Sequence, residues 1–256
     1  MLFHEIVFGP VKSRRLGISL GINLLPTSGK ICTFDCIYCE CGYNVDGRTK
    51  QGFPSHEAVA QALEAKLQEL KATGITPDVF TFSGNGEPTL HPEFENIIDD
   101  AVELRNKFFP EAKISVLSNA TMLHKESVFR ALNKVDNNIL KLDSIYENQV
   151  QLIDRPLQTS FSIVKIIKNL KRFHGNLIIQ TIFLKGSHNG QIIDNTGEQE
   201  VNVWIERLKA INPKQVMIYT IDRTTPEKNL QKVSLEELNI IAEKIKKAGF
   251  TVSVSG

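Results

Sequence analysis

The sequence predicts an α/β chain, a partial (β/α)6 TIM-like barrel with a parallel sheet and outer helices. Three observations carry this. Apolar runs rich in β-branched residues alternate with amphipathic stretches of helical period. The alternation gives six strand–helix units and an end strand, with no all-β or all-α block, as parallel strands joined by crossover helices require. A full barrel needs eight units in about 250 residues, so six units in 256 residues leave longer strand-to-helix loops and an open barrel. No linker, low-complexity tract or repeat stands out, and residues 1–256 are expected to form one domain.

In chain order, "GISLGIN" (17–23) reads as a strand leading into a cysteine-rich loop. A helix comes next over 55–74: Ser55 caps it, Val59, Leu63, Leu67 and Leu70 share one face, and Gly74 closes it. "DVFTFSG" (78–84) is the next strand, succeeded by a helix over 93–108 with Phe94, Ile97, Ile98 and Ala101 inward. Then come strand 113–119, helix 125–133, strand 138–144, helix 160–173, strand 177–186, helix 198–210 and strand 215–221. Ser234 and Glu237 form a capping box for a helix to 247, Gly249 ends it, and "FTVSV" adds a short strand. The active site of such a fold lies at the C-terminal ends of its strands.

Lys plus Arg number 30 and Asp plus Glu 29, a balance that gives no general electrostatic case for a nucleic-acid or membrane partner. No apolar run is long enough to cross a bilayer. "MLFHEIVFGPVKSRRLG" lacks the basic-then-apolar order of a signal peptide. The apolar stretch after "SRRLG" is interrupted at Asn23 and Pro26, unlike that of a twin-arginine export signal. The chain therefore reads as cytoplasmic, where clustered cysteines favour metal binding or catalysis over disulfides.

All four cysteines, Cys32, Cys36, Cys39 and Cys41, fall within "ICTFDCIYCECG" (31–42). The first three are spaced C-x3-C-x2-C. A zinc site usually takes four ligands in two separated pairs, and no second pair exists here. A redox pair at Cys36 and Cys39 would not need Cys32. Three thiolates can hold three irons of a [4Fe–4S] cluster and leave the fourth open, whereas electron-transfer clusters normally fill all four positions. An open iron implies chemistry at the cluster.

The C-x3-C-x-Φ-C pattern, with Tyr38 at the aromatic position, resembles the signature of the radical SAM superfamily. "SGNGEPTLH" (83–91) resembles that family's GGEP motif, with Gly84, Asn85, Gly86, Glu87 and Pro88 as the matching stretch; Asn85 departs from its simplest form. The resemblance implies that Cys32, Cys36 and Cys39 hold a [4Fe–4S] cluster and that S-adenosyl-L-methionine (SAM) binds the open iron. One electron then cleaves SAM to methionine and a 5′-deoxyadenosyl radical, which abstracts hydrogen from substrate. Tyr38 is expected near the adenine, with the Cys41 backbone at its edge. Glycine lets the backbone approach a ligand, and its carbonyls can accept from the SAM ammonium. Ser118 and Asn119 in "VLSNAT" stand where family members contact the SAM carboxylate or ribose. In "LKLDS", Lys141 is a candidate for the carboxylate, and Asp143 or Ser144 for ribose or substrate. Polar residues also commonly end strands, but a charge inside an apolar strand needs a partner. Gln180 is either a ligand contact or a satisfied core amide.

For substrate, Arg14 and Arg15 suit a phosphate or carboxylate, with a solvated basic turn as the alternative. Tyr219, Asp222 and Arg223 come at and after the end of the last barrel strand, and "DRP" (154–156) is a further candidate. The segment 185–197, with His188, reads as a lid or an exposed loop. Cys41, Tyr219 and Arg223 are the candidate catalytic groups, Cys41 being otherwise a bystander thiol. "FGPVKSRRLGISLGINLLP", "FDCIYCECG" and "IYTIDR" resemble the radical SAM group related to wyosine-tRNA synthesising enzymes. No cysteine precedes Cys32 to hold an auxiliary cluster, and the charge is balanced, so wyosine synthesis itself is not carried over. The expected reductant is a flavodoxin or ferredoxin. The substrate is an unidentified small molecule, protein or RNA, the protein case including a glycyl-radical-type activase. The contrasting class is a non-catalytic iron–sulfur or zinc protein.

Overall fold

The structure is a computed structural model that describes residues 2–13, 15–44 and 52–256. The chain divides into two compact units. The first comprises Met1–Cys32, Asn44–Ser118 and Met122–Asn138, and the second Thr33–Tyr43, Asn119–Thr121 and Ile139–Gly256.

In the first unit, β1 (Val7–Ser13) pairs antiparallel with β2 (Gly17–Ile22). Beside β2 run β3 (Val79–Phe82) and β4 (Lys113–Ser118), both parallel to it. Leu20, Phe80 and Ile114 stand side by side and are fully buried. Strands covered on both faces read as continuous apolar runs, and all four residues of β3 are buried. Helices α1 (His56–Thr73), α2 (Phe94–Phe108) and α3 (Glu126–Lys134) pack in that order. Ser55 caps α1 by accepting from the Ala58 N–H, and Gly74, at φ 72°, closes it; Val59, Leu63, Leu67 and Leu70 are buried as expected.

The sequence pattern does not announce β1. Gly9 and Pro10 interrupt its alternation, and the pairing register shifts between Phe8 and Val11. Such a break belongs to an edge strand, where proline is tolerated.

The second unit takes in the end of β5 (Asn137–Lys141), α4 (Glu147–Ile153), α5 (Ile163–Lys171), β6 (Ile178–Ile182), β7 (Leu184–His188) and β8 (Gln191–Asp194). It continues with α6 (Glu198–Ile211), β9 (Gln215–Tyr219), β10 (Leu230–Lys232), α7 (Leu235–Lys247) and β11 (Val252–Ser255). β5, β6, β9 and β11 are parallel neighbours in that order. α5 packs on α6, and α7 covers β9 and β11. The run 177–186 is two strands rather than one: β6 stops at Ile182 and β7 leaves to form an antiparallel sheet with β8 and β10. Segment 185–197 is therefore largely a hairpin. Its turn, Asn189 (φ 49°) and Gly190 (φ 74°), has the paired positive φ that joins twisted antiparallel strands. Likewise, the expected helix 160–173 is shorter, and α4 precedes it. Both units are α/β, and no helix among the described residues is long and apolar enough to cross a membrane.

Candidate functional site

In the first unit, the glycine-rich loop after β3 is stitched to the residue before the first cysteine. The Ile31 N–H donates to the Asn85 carbonyl (2.9 Å), and the Glu87 N–H donates to the Ile31 carbonyl (3.1 Å). Gly86 lies between these bonds at φ 139°, and a Cβ there would sit 1.8 Å from the Ile31 oxygen. Gly84, at φ 147°, would place a Cβ 2.4 Å from Asn23 Oδ1. Only glycine fits either position. The Asn85 side chain is wholly buried; its amide donates to the Phe3 and Pro26 carbonyls, and its Oδ1 accepts from the Phe3 N–H. Glu87 Oε1 accepts from the Thr89 N–H, the Thr89 hydroxyl and Ser118 Oγ, the last at 2.8 Å. The Cys32 N–H donates to Asn44 Oδ1 (2.8 Å).

The rest of the cysteine loop belongs to the second unit, where it lies along residues 153–157. The Asp35 N–H donates to the Asp154 carbonyl (3.1 Å), the Ile37 N–H to Ile153 (3.0 Å), and the Leu157 N–H to Thr33 (2.9 Å). "DRP" thus lends its main chain to the loop. Two tight turns come next, from Cys39 N–H to Cys36 and from Gly42 N–H to Cys39. Asn119 donates to Thr33 Oγ1 (2.8 Å), while its Oδ1 accepts from the Thr121 N–H and hydroxyl. None of the four cysteines is in a disulfide.

Beneath Cys36 lies a buried charge centre. Lys141 Nζ, at the end of β5, is 2.8 Å from Asp143 Oδ2, 2.9 Å from Asp154 Oδ1 and 3.4 Å from Cys36 Sγ. It also contacts the Tyr38 hydroxyl and stands 4.4 Å from the centre of that ring. The Tyr38 hydroxyl donates to Asp143 Oδ2, and Asp143 Oδ1 accepts from the Ile182 N–H (3.0 Å). Burial alone would lower the Lys141 pKa, but Asp143, Asp154 and Cys36 outweigh it and hold the amine well above its usual range. Burial pushes Tyr38 well up, reinforced by Asp143. Burial also raises Asp154 to about 7, against the pull of Lys141. Asn195, which no sequence motif marks, fixes the strand ends around this centre by donating to the Asp143 and Ile182 carbonyls and accepting from the Leu184 N–H. Ser144 donates to Glu200 (2.6 Å), whose own pKa burial raises.

The other candidates are more scattered. His188 Nδ1 is 3.2 Å from Glu227, which also accepts from the Tyr43 hydroxyl; Arg155 stands 4.8 Å over the Tyr43 ring. Burial and Glu227 push Tyr43 up to about 12. Arg223 forms an exposed pair with Glu40 (2.7 Å), and Asp222 is 3.8 Å from Lys232. Tyr219 ends β9, paired with Ile182 of β6, and Gln180 of β6 is paired with Lys141 of β5. Cys41 is partly exposed. The Arg15 N–H donates to Ser13 Oγ, and Arg14 lies outside the described residues. Among the described residues no trio of His, Cys, Asp or Glu side chains stands ready to hold a metal ion, so a ligand set rests on donor chemistry and spacing. Three cysteine thiols outside any disulfide, one of them accepting from Lys141, are the donors an iron–sulfur cluster takes.

The chain is similar to several known proteins. A UPF0026 protein of Helicobacter pylori is 34% identical over 238 residues, covering 91% of this chain and 71% of the relative. Another, of Methanocaldococcus jannaschii, is 31% identical over 241 residues, covering 92% and 70%. Among solved structures, Streptococcus suis SuiB bound to S-adenosylmethionine superposes with a TM-score of 0.65 at 15% identity over 92% of this chain, which spans about half (50%) of that one. TYW1 with a lysine–pyruvate adduct superposes at 0.61 and 13% identity, covering 90% of this chain and 73% of that one. These likenesses show the fold, an α/β partial TIM-like barrel with outer helices. The description "Radical SAM superfamily" fits residues 27–196, which include the cysteine loop, the glycine-rich loop and the Lys141 centre, and the chain belongs to that superfamily.

Proposed function

We propose that this chain is a radical SAM enzyme in which Cys32, Cys36 and Cys39 ligate a [4Fe–4S] cluster and the 84–88 loop binds SAM. The observation that carries this is the double hydrogen bond between Ile31 and the glycine-rich loop, which makes the first cysteine and the SAM-binding backbone one rigid piece. When bound, the cluster supplies the electron that cleaves SAM reductively and so starts hydrogen abstraction from substrate.

The chain's own residues prepare for this. Gly84 and Gly86 let the loop pack directly on Asn23 and Ile31, which fixes the main chain proposed to accept from the SAM ammonium. Glu87 is fixed by Ser118 and Thr89, and Asn119 fixes Thr33 at the start of the cysteine loop. Lys141 donates toward Cys36 and pairs with Asp143 and Asp154, placing one positive charge beside the sulfur. Tyr38 is held by Asp143 and presents its ring beside Lys141. The substrate class is left to Tyr219, His188, Asp222, Arg223 and Arg15 as candidates.

Anaerobic reconstitution tests the proposal. The protein should bind about four irons and four sulfides, as a [4Fe–4S] cluster requires, and under reduction it should release 5′-deoxyadenosine from SAM. Alanine at Cys32, Cys36 or Cys39 should abolish that release, and Cys41→Ala should spare it. A fully loaded cluster that never cleaves SAM would sink the proposal.

A further inference from the structure

From Arg155 to Ile193 the chain has no Asp or Glu, yet it carries Arg155, Lys165, Lys168, Lys171, Arg172 and Lys185. In a chain balanced at 30 basic and 29 acidic residues, this run is a concentration of one sign. Some of its members are engaged: Lys185 pairs with Glu237, and Arg155 lies over Tyr43. The three lysines of α5 are not. Lys165, Lys168 and Lys171 are exposed, recur at intervals of three on one stripe, and have no ion-pair partner among the described residues. The opposite face of α5 buries Ile163, Ile166 and Leu170, so the stripe is held in place.

Its position gives the stripe a use. Phe161, two residues before α5, meets Phe34 edge-on at 5.6 Å. Phe34 lies two residues before Cys36 and 5.9 Å from Lys141 Nζ, which itself is 3.4 Å from Cys36 Sγ. α5 therefore begins against the packing that supports a cysteine ligand. The stripe spans about 9 Å along the helix axis, a span suited to one small protein partner. Val164, 72% exposed, stands on α5, and Leu157, 54% exposed, lies in the loop leading to it. Apolar side chains among lysines suit a protein face better than a run of phosphates.

We propose that the Lys165–Lys168–Lys171 stripe is the docking surface for a small acidic one-electron donor of the flavodoxin or ferredoxin class. This rests on the radical SAM reading above. In the step served, the donor's reduced flavin or iron–sulfur centre is oxidised by one electron and the cluster is reduced by that electron; no atom is transferred. The lysines act by steering and orienting the donor, and touch neither cluster nor SAM.

The test compares wild type with K165E/K168E/K171E, both reconstituted, and tracks the loss of cluster absorbance on reduction by photoreduced flavodoxin or by dithionite. The variant should be reduced by flavodoxin at least about tenfold more slowly at about 50 mM salt. The gap should close towards about 1 M salt, where the screening length falls to about 3 Å. Dithionite, a small reductant, should reduce both proteins equally. An unchanged flavodoxin rate overturns the proposal. So does equal slowing with both reductants, which marks a structural defect. Intact reduction with weakened binding of bulk tRNA also overturns it and makes the stripe an RNA contact. A wild-type protein with no dithionite-reducible cluster is a separate result: it defeats the radical SAM reading itself.

Discussion

The glycine-rich loop of the first unit and the Lys141 centre of the second are both buried, but they are held by different forces. The loop's tie to the cysteine segment is built from main chain and neutral amides: Ile31, Asn85, Asn23 and Phe3 exchange hydrogen bonds, and Gly84 and Gly86 have no room for a Cβ. The Lys141 centre is built from charge, with one ammonium among two carboxylates, a phenol and a thiol. Steric fit does not adjust to conditions. Charge does, because a carboxylate can take up a proton. The loop should therefore fail abruptly on substitution, and the centre by degrees that depend on pH.

Gly86→Ala is the most severe test. Its Cβ would meet a main-chain oxygen at 1.8 Å, which forces the two Ile31 hydrogen bonds apart. Two such bonds at about 1 kcal/mol each, with about 2 kcal/mol of strain for a side chain at that φ, give a loss of about 4 kcal/mol. Thermal unfolding should show it, and iron uptake should fall because Cys32 moves with Ile31.

Lys141→Met should cost about 3 kcal/mol, near the lower end for stranding buried charge. The relief comes from Asp154, which already titrates near 7. Below about pH 6 it is protonated in both proteins, so the deficit there is limited to the lost Lys141–Asp143 pair. Above about 7 the wild-type carboxylate ionises beside Lys141, while the variant must bury an unpaired charge, so the deficit grows. Denaturant melts of the cluster-free proteins from about pH 5.5 to 8.5 would show this. A pH-independent deficit would mean that Lys141 does not hold the Asp154 charge.

Asn85→Ala leaves the Phe3 N–H and two carbonyls without their amide partner and should cost about 2 kcal/mol. That loss should be the same at every pH, unlike the Lys141 deficit.

How far the sequence revealed these two regions depends on the same physics. Doubly covered strands such as "VFTF" are apolar throughout, and α1 shows its buried stripe, so the strand–helix order was legible. Apolarity does not say where a strand turns away, so the β6–β7 break at Phe183 was hidden inside one long run. Asn189–Gly190 did announce the hairpin, and that signal outweighs the polarity that suggested a loop. Lys141 visibly needed a partner. That the partner includes Asp154 was not legible, since Asp154 arrives by way of α4 and a turn with Arg155 at φ 49°. For Asn85, the sequence showed a departure between two glycines, but its tie to Phe3, 82 residues away, is a long-range contact that no local pattern carries.

The smallest expected effect again contrasts the two regions, this time in sign. His91 closes the short helical turn Pro88–Leu90 after the glycine-rich loop and is only 3% exposed. Its Nε2 faces the Pro54 carbonyl at 2.8 Å, and its Nδ1 accepts from the Glu93 N–H at 3.1 Å. This fixes the neutral ring with hydrogen on Nε2, because protonating Nδ1 would lose the Glu93 bond. Burial lowers the His91 pKa below its usual value, outweighing the Pro54 carbonyl. A histidine so depressed gives its full stability above about pH 6.5, the unfolded value, and loses it as pH falls toward the folded value. The first unit should therefore weaken on acidification, while the Lys141→Met deficit in the second grows on alkalinisation. His91→Gln should cost about 1 kcal/mol at about pH 7.5, where one neutral hydrogen bond is lost, and should flatten the decline between about pH 6.5 and 5. Hydrogen exchange at the α2 N-terminus, measured at both ends of that range, reads the two proteins directly. An equally steep decline in the glutamine variant would place the acid sensitivity elsewhere than His91.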